Sequence, residues 1–220
     1  MNLVVRTLSD RVFEIVREQI VTGKLPTLQP IRQDALASAL GVSKIPLREA
    51  LARLEQEGLL SSQANRGYFV RPMSTSEVEE IFSMRLKIEP DAAGYACTVA
   101  TAEDKIVTQD AFDDLDRAYS MTDRLFELTN KNRDFHTAMV QPGGRTLTTQ
   151  MVERLQTLAE RYVLAHLKPA GREGRAHLEH RALLTAWLAG DSALLTRLLA
   201  EHIQATLEDL RLELTPLTER

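Results

Sequence analysis

The stretch Pro30–Leu60, PIRQDALASALGVSKIPLREALARLEQEGLL, fixes the architecture of the first third of the chain. Asp34–Gly41 reads as a short helix closed by its glycine. Ser43 stands where an N-cap belongs. Pro46 falls in the first turn that follows, where a missing N–H breaks no intrahelical bond. Leu47, Ala50, Leu51 and Leu54 recur at helical spacing as one inner face, and Gly58 is the stop. Only Gly41-Val42-Ser43 separates the two helices, so the turn is tight and the helices cross steeply.

Working outward, residues 8–22 repeat apolar side chains at Leu8, Val12, Ile15, Val16 and Ile20, a further helix ended by Gly23. Pro26 and Pro30 mark a connector. On the other side, LLSSQ (59–63) and YFVRP (68–72) flank Ala64-Asn65-Arg66-Gly67 as a hairpin. Three helices plus a β-hairpin wing make residues 1–72 a winged helix-turn-helix domain. Such a fold offers its third helix to the major groove of DNA, N-terminal side chains toward the bases. Lys44, Ile45 and Arg48 lie opposite the apolar face. Arg48 can meet a guanine edge or a phosphate, and the Ser43 hydroxyl a phosphate. Arg66 and Gly67 hold the wing tip, and Arg32 joins the same set of DNA-binding candidates. The competing reading is a solvated charged face, with Arg48 paired to a glutamate on its own helix.

Charge follows this division. The chain carries a net −4, but residues 1–72 hold ten Lys and Arg against seven Asp and Glu, a net +3. The remaining 17 basic and 24 acidic residues leave −7 for the rest. A hydrophobic share of 44% supplies a core without disulfide or structural metal, and the single Cys97 suits a reducing compartment. Asp10 and Glu14 fall too early for a signal peptide, and no apolar run approaches the roughly 20 residues of a membrane span. The expectation is a cytoplasmic protein with no membrane partner.

The quoted stretch, continued to RGYFV (66–70), resembles the DNA-binding domain of GntR-family regulators through its core LGVS-x-x-P-x-REAL-x-x-LE-x-EGL. The match covers about residues 8–72. It implies that Ser43, Lys44, Arg48 and Gly67 occupy DNA-contacting positions. Many relatives have Arg at position 44 and Thr at position 45, so the operator sequence does not carry over.

From Ser74 the pattern is helical to the end. STSE (74–77) is a capping-box pattern, and helices are expected near 75–97, 103–120, 122–140, 147–167, 175–189 and 192–213, with a tail over 214–220. Pro90 inside the first implies a kink or two shorter helices. The fold class is therefore mainly α: a winged helix-turn-helix followed by an all-α bundle over 74–213. Five histidines fall in this second part. His180 precedes Gly190 by ten residues and His202 follows Asp191 by eleven. In an antiparallel pair both stand about 16 Å from the turn and can face one cavity. His136 shares a helix face with Asn132, one turn earlier. Imidazoles plus a side-chain oxygen, with positions left open, suit Zn²⁺, Ni²⁺ or Mn²⁺. Each histidine alone also fits an ordinary half-buried role, and His166 and His177 are assigned to the surface.

Asn132-x-x-x-His136, Glu179-His180-Arg181-Ala182-Leu183-Leu184, Ala189-Gly190-Asp191 and Glu201-His202-Ile203 resemble the FCD ligand-binding domain of the FadR-type branch, over about 74–213. That resemblance implies a divalent cation, zinc first, at Asn132, His136, His180 and His202, and a small organic acid on its vacant positions. Many relatives have Asp where this chain has Asn132, a neutral amide that is a weaker ligand for a hard cation. Arg85, Arg161 and Tyr162 are candidates to assist the acid, with solvated salt bridges as the alternative for both arginines. The function so implied is a ligand-responsive, homodimeric repressor on a pseudo-palindromic operator. Whether the acid releases or tightens DNA is open. Two other readings stand beside it. One is a metal-dependent enzyme, which lacks HExxH, a nucleophile elbow or a phosphate loop. The other is a metal-free regulator that binds an acyl thioester or no ligand at all.

Overall fold

The computed structural model describes residues 7–121, 125–167 and 171–214. The chain divides into two compact units, Met1–Pro72 and Met73–Arg220. In the first, α1 (Leu8–Val21), α2 (Gln33–Leu40) and α3 (Lys44–Gln56) precede the antiparallel strands β1 (Leu60–Gln63) and β2 (Gly67–Val70). Thr7 and Asp10 close a full capping box on α1. The buried face of α1 is Val12, Phe13, Val16 and Ile20, while Leu8 and Ile15 are exposed. The expected apolar stripe is thus rotated: spacing of three or four admits Ile15, but Phe13 lies closer to the mean direction of Val12, Val16 and Ile20. Leu47, Ala50, Leu51 and Leu54 of α3 are fully buried. Arg53 ties α3 back to α1 through Asp10, at 2.6 Å, and across the Phe13 ring.

The wing is pinned by register, Leu60 opposite Val70 and Gln63 opposite Gly67. Asn65 and Gly67 turn the chain in left-handed conformations, φ 61° and 85°, which asparagine and glycine tolerate best. The connector between α1 and α2 does more than connect. Thr27 and Pro30 form bridges to Val70 and Phe69, and the Ile31 N–H donates to the Tyr68 carbonyl at 2.8 Å. Leu28 within it has φ 63° and is 76% exposed.

The second unit is helical among its described residues: α4 (Thr75–Val99), α5 (Ala102–Tyr119), α6 (Leu125–Val140), a 3-10 turn (Gln141–Gly143), α7 (Thr146–Leu167), α8 (Arg172–Ala189) and α9 (Ser192–Leu214). The expected start of α6 at 122–124, the expected break at 168–170 and the expected tail beyond Leu214 lie outside the described residues. α4 runs through Pro90 as one helix rather than two. The Thr196 hydroxyl donates to the Pro90 carbonyl at 3.2 Å. Gly94, one turn on, lets α9 approach so closely that a Cβ there would meet Thr196 Oγ1 at 2.4 Å. Only half of the expected capping box forms at Ser74. Its side chain accepts from the Glu77 N–H, but the Glu77 carboxylate instead receives the Tyr162 hydroxyl at 2.7 Å. Trp187 fills the centre of the bundle and donates from Nε1 to the Met139 carbonyl at 2.9 Å. No helix among the described residues is long and apolar enough to cross a membrane.

Candidate metal centre and nucleic-acid interface

The helical unit brings three imidazoles together. His136 comes from α6, His180 from α8 and His202 from α9, and all three are buried. Gly190 ends α8 in a left-handed conformation, φ 69°, and turns the chain into α9. That reversal levels His180 with His202, their ring centroids 4.6 Å apart. One ligand nitrogen from each of the three rings lies within 4.8 Å of the others, and Nε2 of His136 approaches Nε2 of His180 to 3.3 Å.

The far side of two of the rings is already engaged. His202 Nδ1 sits 2.6 Å from Glu179 Oε2, and His180 Nδ1 lies 3.1 Å from the Tyr119 hydroxyl. His136 Nδ1, buried without a hydrogen bond among the described residues, faces Glu89 Oε2 at 3.7 Å. Partners on Nδ1 orient a ring and select the tautomer that leaves Nε2 its lone pair. Glu89 is itself gripped by Arg85, Nε to Oε1 at 2.7 Å, and by Gln156 at 2.9 Å. Burial pushes the pKa of both His136 and His180 well below the ordinary 6.5, and neighbouring imidazoles and Arg85 push the same way. Both rings are therefore neutral near pH 7, the state in which imidazole binds a metal.

Beside the triad is a small cavity that opens to solvent. Arg85, Asn132, His166, His180, His202 and Thr206 supply its polar wall, and Val163, Leu167, Ala176 and Ile203 its apolar one. Asn132 thus shares the cavity with two of the histidines, one helical turn before the third. Of the residues expected to assist an acid, Arg85 lines the cavity, fully buried, although the Glu89 carboxylate holds part of its guanidinium. Tyr162 does not line it: its hydroxyl is spent on Glu77 and on the Ser74 backbone at the start of α4. Arg161, half-buried, is also absent from the lining.

The surface assignment of His166 needs correction. His166 is 3% exposed and lines the cavity, because α9 continues through Asp209 and Glu213 against the end of α7. His177 is half-buried, stacked on Tyr119 and 2.5 Å from Asp116.

In the N-terminal unit the exposed end of α3 carries Ser43, Lys44, Ile45 and Arg48. Ser43 holds the N-cap position without making the capping hydrogen bond, so its hydroxyl and the helix N-terminus stay open to an anion. Among the described residues Arg48 is exposed and has no ion pair. Lys44 pairs with Asp34 at 2.5 Å, both well exposed; such a pair contributes little and yields readily to a phosphate. Arg66 donates to Gln63 at 2.8 Å beside Gly67, and Arg32 is exposed at the start of α2.

Two family models match this chain: "Bacterial regulatory proteins, gntR family" over residues 8–70, and "FCD domain" over 80–205. The HTH-type transcriptional regulator BphR of Paraburkholderia xenovorans is 30% identical over 215 residues, covering 94% of this chain and 86% of that protein. The chain belongs to the gntR family. The HTH-type transcriptional repressor GlaR of Escherichia coli is 29% identical, over 86% of this chain and 89% of its own length. The solved structure of E. coli McbR/YncC has a TM-score of 0.75 at 25% identity, over 94% of this chain and 98% of that one. This gntR-family protein is thus a DNA-binding transcription regulator with an FCD ligand-binding domain, and not an enzyme.

The residues around the triad were harder to foresee in this gntR-family chain. The four-residue spacing of Arg85 and Glu89 signals an ion pair on one helix face, but nothing local says that His136 abuts it. Glu179 precedes His180 and faces α9. Tyr119 ends α5 and reaches His180 only through the packing of α5 on α8.

Proposed function

We propose that this regulator is a homodimeric repressor whose helical unit holds a divalent cation, zinc, through His136, His180 and His202 with Asn132. A small organic acid enters the adjoining cavity as effector. The observation that carries this reading is the convergence of three buried imidazoles whose opposite nitrogens are engaged or faced by Tyr119, Glu179 and Glu89. That arrangement fits a metal with oriented ligands and leaves coordination positions on the cavity side. When bound, the cation supplies a Lewis-acidic anchor for a carboxylate oxygen. Arg85 adds a buried positive charge to the same cavity, and the apolar wall receives a short carbon chain.

The DNA-binding face is Ser43, Lys44, Ile45 and Arg48 on α3, with Arg32, Arg66 and Gly67 flanking. Ser43 and Lys44 meet phosphates, and Arg48 reaches base edges. Two copies read a pseudo-palindromic operator, and the acid biases the dimer between two arrangements, one of which matches the half-site spacing. The repressor sense is supported by the name of GlaR. A regulator that acts on operators works in the cytoplasm.

Two measurements test this. Elemental analysis of purified protein should find stoichiometric zinc that disappears in the His180→Ala, His202→Ala double variant; equal metal in both sinks the metal reading. Fluorescence anisotropy on genomic fragments should show log affinity falling steeply with log salt. Arg48→Ala should weaken specific binding by about 1–3 kcal/mol. A flat salt slope, or an Arg48→Ala protein of unchanged selectivity, sinks the DNA-reading face.

A further inference from the structure

We propose that His166 is the residue with which this cavity selects among small acids, by hydrogen-bonding a second polar group on the effector. The inference rests on the reading that the cavity takes an acid, and it names what kind: one bearing a hydroxyl, carbonyl or second carboxylate besides the first.

His166 lies in the last turn of α7, 3% exposed and on the cavity wall. It stands outside the cluster of His136, His180 and His202, so it is not a fourth ligand of the same centre. Its Nδ1 is buried without a hydrogen bond among the described residues, 3.5 Å from Asp209. Asp209 gives it little, being itself engaged by Arg175 and lying 3.6 Å from Arg172. Burial lowers the imidazole pKa to about 4, against the opposing pull of Asp209. The ring is therefore neutral near pH 7, with one N–H to donate and one nitrogen to accept.

The other polar groups of the wall are committed wholly or in part. Thr206 donates its hydroxyl to the His202 carbonyl at 3.0 Å, and Arg85 grips Glu89. His180 and His202 belong to the centre, beside Asn132. An imidazole taken out of water and left unsatisfied costs folding stability that nothing in the fold returns. A ligand group that hydrogen-bonds the ring from the cavity offsets that cost, and an analogue lacking the group forfeits the bond.

Butyrate, 4-hydroxybutyrate and succinate share one chain length and differ at the far end only. Titration calorimetry on the zinc-loaded full chain should find the two bifunctional acids at least tenfold tighter than butyrate. His166→Leu should abolish that preference while keeping zinc content, and His166→Gln, which keeps a donor and an acceptor, should restore part of it. A preference that survives in His166→Leu overturns the proposal and leaves acid sensing intact. Loss of zinc in His166→Leu overturns it by making His166 a metal ligand. A zinc-loaded parent that binds none of the three acids overturns both the proposal and the acid-sensing reading.

Discussion

Acid should weaken the helical unit through His166, and the size of the effect follows from its surroundings. Folded, the imidazole takes up its proton at about 4; the ordinary value is 6.5, and burial is the main cause of the drop. Between these values the unfolded chain holds a proton that the folded one lacks, so stability falls as pH falls below 6.5 and levels off below 4. The whole shift corresponds to about 3 kcal/mol, of which about 2 kcal/mol is lost by about pH 5. His166→Leu removes the titrating group and places an aliphatic chain beside Val163 and Leu167, with which it shares the cavity wall. Urea unfolding in chelator, at about pH 7.5 and about pH 5, should show the parent losing about 2 kcal/mol more than the variant. His136 and His180 titrate in both proteins and cancel in the difference. Equal losses would mean that His166 is not held neutral in the fold, and the argument from its burial would fail.

Glu179→Gln should cost roughly tenfold in zinc affinity by orphaning the tautomer control on His202; unchanged competition against a chromogenic chelator would show that the 2.6 Å contact does not tune the centre. Leu28→Gly should raise the stability of the N-terminal unit by about 1 kcal/mol, because φ 63° is strained for leucine and the side chain, 76% exposed, buries little. A fall in the denaturant midpoint would contradict this. Gly94→Ala should destabilise the helical unit by about 1–3 kcal/mol, since its Cβ meets Thr196 Oγ1 at 2.4 Å. Adding Thr196→Ala should recover most of the loss, and a double variant no better than the single would place the clash elsewhere.

Local pattern carried much of this molecule. The glycine stops at Gly41, Gly58 and Gly190, the inner stripe of α3, and the short link between α2 and α3 are properties of a few adjacent residues. Neighbours in sequence suffice to read them. The equal spacing of His180 and His202 about the Gly190 turn also needs only helix geometry. Tertiary packing decided what periodicity cannot report, namely which neighbour covers a face. Ile15 and Phe13 exchanged roles on α1 because the covering helix α3 fixes the direction of burial. Tyr162 spent its hydroxyl on α4 instead of the cavity. His166, on the last turn of α7 and so apparently terminal, was buried by an α9 that runs on to Leu214. Glu89, Tyr119 and Glu179 reach the three imidazoles from α4, α5 and α8, and only the assembled bundle makes them neighbours.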